Sequence, residues 1–158
     1  MTDFAALLRA LATARAKFII VGGAAATAHG SARLTQDLDV VYERSRENLR
    51  TLAEALRPHD PYLRGAPPGL PFALDERTLR SGLNFTLTTK LGDIDLLGEI
   101  VGGGDYAALA PHTVELELFG VRCLCLDLDT LITVKRAAGR PKDLEAIAEL
   151  AVIRDERG

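Results

Sequence analysis

The chain has no tryptophan, one methionine, two cysteines and only 5% aromatic residues in 158. Cys123 and Cys125 stand one residue apart. On a strand such neighbours point the same way without bridging geometry, which excludes a disulfide framework and makes both read as small buried hydrophobes. No apolar run is long enough for a bilayer: the longest weakly polar stretch, Phe18 to Ala28, is short and holds Gly22 and Gly23. The start, Met1-Thr2-Asp3, lacks the basic region of a signal peptide. Bulk positive charge is missing as well, since 19 basic against 22 acidic residues leave a net charge of −3. A protein that coats nucleic acid through overall charge is thereby excluded, although a local basic patch is not. There is no His/Cys zinc spacing, no Ser-His-Asp order, no Walker-type glycine loop, no repeat and no domain linker. The expectation is a single reduced, soluble, cytoplasmic domain over residues 1–158, with no membrane partner.

What is present is enough apolar material, 47% of residues, to fill a core. Phe4, Leu7, Leu8 and Leu11 recur at amphipathic-helix spacing within residues 3–16. Phe18-Ile19-Ile20-Val21 is a continuous apolar run stopped by two glycines, as in a buried strand. Residues 24–29 read as a helix ended by Gly30, 38–41 as a strand, and 46–56 as a helix ended by Pro58. Residues 58–71 carry five of the seven prolines and read as a long loop, functional or mobile. Strands follow at 83–89 and 91–97, joined at Lys90, and a hairpin at 114–118 and 121–126 turns on Phe119-Gly120. Gly102-Gly103-Gly104 opens a loop in which Asp105 reads as an N-cap. Asp127 caps a helix to about Ala138, Gly139 stops it, and Pro141 starts a last helix through Ile153. This order predicts an α/β (α+β) fold: a small mixed twisted sheet with flanking helices and two C-terminal helices.

The chemistry concentrates in residues 19–39. A strand delivers Gly22-Gly23 to the start of a helix, where a bare backbone admits an anionic ligand or simply makes a tight turn. Asp37 and Asp39, one residue apart in an extended segment, project from the same sheet face. Two carboxylates so close repel each other, and a divalent cation between them relieves it. Asp93 and Asp95 repeat the spacing in a run apolar enough to be buried, where charge needs a partner or a metal. Lys135 falls on the apolar stripe Leu128, Leu131, Ile132 of its helix and so needs an anion, either a carboxylate or a ligand phosphate. Arg33 is a candidate phosphate contact or a surface residue, Arg136 and Arg140 complement the helix terminus, and Asp143 reads as a helix N-terminal charge. His29 reads as a packed or capping histidine.

Val21-Gly22-Gly23, an intervening segment of residues 24–36, then Asp37-Leu38-Asp39-Val40 and a later Ile94-Asp95-Leu96-Leu97 together resemble the nucleotidyltransferase superfamily of DNA polymerase beta, the CCA-adding enzymes and the aminoglycoside nucleotidyltransferases. Arg33, Thr35 and the stretch 135–143 bring the likeness closest to small stand-alone bacterial members, including toxin-like nucleotidyltransferases of abortive-infection systems. The glycine pair replaces the commoner Gly-Ser, and no accessory substrate domain is recognisable. The resemblance implies that Asp37 and Asp39 hold two Mg²⁺ ions and that Asp95 completes one metal site and helps deprotonate the attacking hydroxyl. Asp93 fits that third role less well because it directly follows Gly92 at the start of its strand. The implied nucleotide contacts are Gly22, Gly23, Arg33 and Lys135.

The function expected on this basis is Mg²⁺-dependent transfer of a nucleoside monophosphate from a nucleoside triphosphate to a hydroxyl, with pyrophosphate released. The acceptor class stays open among RNA such as a tRNA end, a protein and a small molecule. An antitoxin or a second copy of the chain are the candidate protein partners. The alternative is a non-catalytic nucleotide-binding or regulatory member of a toxin–antitoxin pair.

Overall fold

The computed structural model describes all residues, Met1–Gly158. Helix α1 (Phe4–Thr13) leads into β1 (Phe18–Val21), α2 (Gly22–Ala28), β2 (Asp37–Tyr42) and α3 (Arg46–Leu56). Then come β3 (Tyr62–Leu63), α4 (Glu76–Ser81), β4 (Phe85–Thr89), β5 (Gly92–Leu97), β6 (Glu99–Ile100) and β7 (Gly104–Asp105). The chain closes with α5 (Tyr106–Leu109), β8 (Thr113–Leu118), β9 (Val121–Leu126), α6 (Leu128–Ala138) and α7 (Pro141–Arg157). The mixed α/β class expected from the sequence is the one observed.

Seven strands form one sheet in the order β3-β4-β5-β2-β1-β9-β8, and β6 and β7 pair separately. β2 runs antiparallel to β1 and parallel to β5, while β1 runs parallel to β9. The acid-bearing strands are thus neighbours inside the sheet, β2 at its centre and β5 beside it. Leu38, Val40, Ile94 and Leu96 are fully buried on the face turned away from the acids. The core they join includes Leu7, Leu8 and Leu11 of α1 and Leu49, Leu52 and Leu56 of α3, which pack together. α2 packs against β1, β2 and α6, and α6 against α7. No helix is long and apolar enough to cross a membrane.

Most local expectations hold because their causes are local. Ser45 accepts from the Asn48 N–H and starts α3, Asp127 accepts from the Thr130 N–H and starts α6, and Gly139 ends α6 at φ 67°. Asp105 accepts from the Ala108 N–H, the N-cap read from the sequence. α7 runs four residues past Ile153, to Arg157. Four short elements escaped the sequence reading. α4 has one buried residue, Leu79, too few for a period to register. β6–β7 and β3 are two residues each, and β3 lies inside the proline-rich stretch that read as pure loop.

Asn48 ties the first turn of α3 to the residue before β1 and the residue after β2. Its Oδ1 accepts from the Lys17 N–H at 2.7 Å, and its Nδ2 donates to Lys17 O at 3.0 Å and Glu43 O at 2.7 Å. Because Asn48 is only 4% exposed, water cannot replace these bonds. Asn48→Ala is expected to lower stability by about 2–3 kcal/mol, the cost of leaving buried backbone groups unpaired. Urea unfolding with an unchanged slope and a lower midpoint is the expected result. A midpoint equal to wild type would show that the linkage is dispensable.

Candidate metal centre and cleft

Strand register builds the site. In the parallel pair Asp37 stands opposite Asp93 and Asp39 opposite Asp95, so four carboxylates form a square on one sheet face. Carboxylate oxygens of Asp37, Asp39 and Asp95 lie within 4.8 Å of one another, as expected from the sequence, and the set could hold a metal ion. Asp39 Oδ1 and Asp95 Oδ1 are buried with no hydrogen-bond partner. An all-carboxylate set with two orphaned acceptors suits a hard cation, which takes oxygen ligands.

The electrostatics agree with that fit. Burial pushes the Asp39 pKa up to about 7, and the charges of Asp37 and Asp95 push in the same direction. Burial likewise raises Asp95, opposed by the Arg64 guanidinium beside it. Arg64 is the residue that sequence reasoning missed. It follows β3, and its Nη2 is 2.8 Å from Asp95 Oδ1.

The glycine turn is shaped by the acids themselves. Gly22 has φ +64°, and a Cβ there would sit 2.3 Å from Asp39 Oδ2. A Cβ on Gly23 would meet Thr35 Oγ1 at 2.6 Å. Both glycines therefore serve close approach of chain to chain, with the first turn of α2 packed against the Asp39 and Thr35 side chains. Thr35 in turn donates to Asp37 O at 3.2 Å.

α7 holds the segment that leads into β2. Glu149 accepts from Ser31 Oγ at 2.5 Å and from the Ala32 N–H at 3.1 Å. Arg33, expected to contact nucleotide, pairs with Glu145 at 3.1 Å at the rim of the cleft. Lys135 is inward and 11% exposed, with Nζ 3.9 Å from Asp143 Oδ1. Burial lowers its pKa, and Asp143 opposes the shift. Asp143 is both the N3 residue of α7 and a buried anion, held by Arg140 Nε at 2.7 Å. Burial works against its ionisation, but the Arg140 bonds and charge, with Lys135, keep its pKa below the usual range.

Gly22, Gly23, Arg33, Lys135, Arg140 and Lys142 surround the three acids in a cleft of about 230 Å³. A second recess of about 380 Å³ shares Gly22, Asp39, Lys135, Arg140 and Asp143 with it and is otherwise walled mostly by aliphatic residues, among them Leu97, Ile100, Leu131 and Val134. His29 lies outside both recesses. Its Nε2–H donates to Leu126 O at 2.7 Å, and Nδ1 accepts from Arg157, a packed histidine as read from the sequence. Cys123 and Cys125 are buried and free. No protein-family model and no curated protein matches this chain.

The raised carboxylates fix the sign of a pH dependence. A carboxyl with a raised folded pKa stabilises the fold below the unfolded value, near 4, and loses that contribution as pH rises through the folded value, about 7 for Asp39. In chelator, the wild-type Tm is expected to fall between pH 5 and 8, and that of Asp39→Asn to fall less. The curves should separate by several degrees at pH 8. Parallel melting curves would show that Asp39 titrates like an ordinary carboxylate.

Proposed function

We propose that this chain is a divalent-metal-dependent nucleotidyltransferase with the polymerase-beta-like nucleotidyltransferase fold, akin to small stand-alone bacterial members. The observation that carries the reading is the convergence of Asp37, Asp39 and Asp95, two of them with orphaned oxygens, beside a glycine turn packed against Asp39. Asp37, Asp39 and Asp95 would hold Mg²⁺, two ions by the resemblance, which when bound neutralises phosphate charge and lowers the pKa of the acceptor hydroxyl.

The chain's own groups divide the remaining work. Arg33, Lys135, Arg140 and Lys142 line the cleft with positive charge suited to a triphosphate. The loose Lys135–Asp143 contact lets the ammonium turn from carboxylate to phosphate without becoming an unpaired buried charge. Gly22 and Gly23 line the same cleft, and the first turn of α2 carries backbone N–H groups without helical partners that suit phosphate oxygens. The aliphatic recess beside Asp39 is of a size that takes a nucleoside, shielding it from water. The acceptor oxygen bonds to the α-phosphorus as the bond to the leaving pyrophosphate breaks, and Asp95 accepts the hydroxyl proton.

Incubation with each α-labelled nucleoside triphosphate, Mg²⁺ and total cell extract tests this reading. The expected result is label on one class of acceptor (RNA, protein or small molecule), lost on chelation and reduced at least about a hundredfold by Asp39→Asn. Metal-dependent triphosphate binding without transfer would instead identify a regulatory nucleotide-binding protein, the partner of a toxin or antitoxin. Absence of both binding and transfer sinks the proposal.

A further inference from the structure

Arg64 contacts three of the four clustered carboxylates with three different nitrogens. Nη1 is 3.6 Å from Asp37 Oδ2, Nε is 3.4 Å from Asp93 Oδ2, and Nη2 is 2.8 Å from Asp95 Oδ1. Strand register explains the reach. Val21, Asp39, Asp95 and Thr86 stand in one row across β1, β2, β5 and β4, on a common face. β3 pairs with β4 through Leu63 and Leu87, so the next residue, Arg64, arrives beside Thr86 in that same row. Its backbone N–H donates to Thr86 O at 3.0 Å. Two strand spacings, roughly 10 Å, separate it from Asp95, within the span of an extended arginine.

The guanidinium is fastened by main chain rather than by the acids. Nη2 donates to Leu87 O at 2.7 Å, whereas Nε has no hydrogen-bond partner and neither does Asp95 Oδ1. The charges are close, but the donors are not aimed along the carboxylate lone pairs. A fixed positive charge at this distance attracts the acids and repels any further cation placed among them. Asp39 is the one carboxylate of the square with no contact to Arg64.

We propose that Arg64 is the resident counter-cation of the site: it positions Asp95 and weakens the divalent-cation site by its own charge. The site then binds a free metal ion weakly and holds it firmly when phosphates supply further negative charge. This rests on the reading that Asp37, Asp39 and Asp95 bind a divalent cation. A merely structural Arg64, tying β3 to the sheet, predicts the opposite sign, because loosening the sheet would degrade the metal site.

The test is calorimetric titration of Mn²⁺ alone, without nucleotide, into the full chain. Wild type, Arg64→Gln and Arg64→Lys are compared, with Asp39→Asn showing which heat belongs to the site. The glutamine variant removes the charge and is expected to bind Mn²⁺ about tenfold tighter or more. The lysine variant keeps the charge and should stay within about threefold of wild type. Melting in chelator and in Mn²⁺ adds a second readout: Arg64→Gln should gain more Tm from Mn²⁺ than wild type does. If Arg64→Gln folds only with metal, that dependence supports the counter-charge, provided that Arg64→Lys folds without it. Wild-type binding with Arg64→Gln equal or weaker overturns this inference alone. No Mn²⁺ binding by any of these proteins overturns the metal-site reading, and this inference with it.

Discussion

Four carboxylates held in register on two adjacent strands inside the sheet are the constraint around which the rest of this molecule is arranged. Asp37 faces Asp93 and Asp39 faces Asp95 at the spacing of one strand pair, so their charges cannot relax apart. The fold meets this repulsion in two ways. Arg64 comes in from the sheet edge to three of the acids, and Asp39, out of its reach, has its pKa raised by burial and by its neighbours. A molecule built only for stability would gain from apolar residues at these positions, since uncompensated buried charge costs free energy. The acids retained in spite of this form a set that could hold a metal ion.

The C-terminal helices complete the site by supplying charge of the opposite sign and by fixing the approach to β2. Asp143 sits at the first turn of α7, where the helix dipole favours an anion, and from there neutralises Arg140 and faces Lys135. Almost two turns further along α7, Glu149 fastens Ser31 and Ala32, which lead the chain towards Asp37. The same two helices therefore hold the cationic rim of the cleft and the segment that delivers the first acid. A rigid helix pair suits this task better than a loop, because the cleft walls must keep their separation when charged groups enter.

The two recesses differ in what they can bind. One is polar, with acids at its floor and basic residues around them, and the other is aliphatic and opens beside Asp39. A ligand that filled both would meet carboxylates and basic side chains at one end and mostly aliphatic walls at the other. The aliphatic walls offer shape and burial, and Lys135 and Arg140 are donors that line both recesses.

Asp37, Asp39, Asp95, Gly22 and Gly23 were legible from the chain alone, because the period of a strand and the freedom of a glycine are local properties. So were the caps Asp105 and Asp127, the stop at Gly139 and the inward Lys135, since a helix places its faces by spacing alone. Arg64 was not legible. It lies in a proline-rich stretch distant in sequence from both acid pairs, and only the pairing of β3 with β4 and β4 with β5 sets it in the row of Asp95. The same holds for Asp143 and Glu149: local pattern read the first as a helix charge, but packing of α7 against α6 and the loop decided which residues they would hold. Sequence by itself determined which residues carry charge and which way each element faces. Tertiary structure decided which charges meet, because strand register and helix packing are set by the whole core and by no single segment.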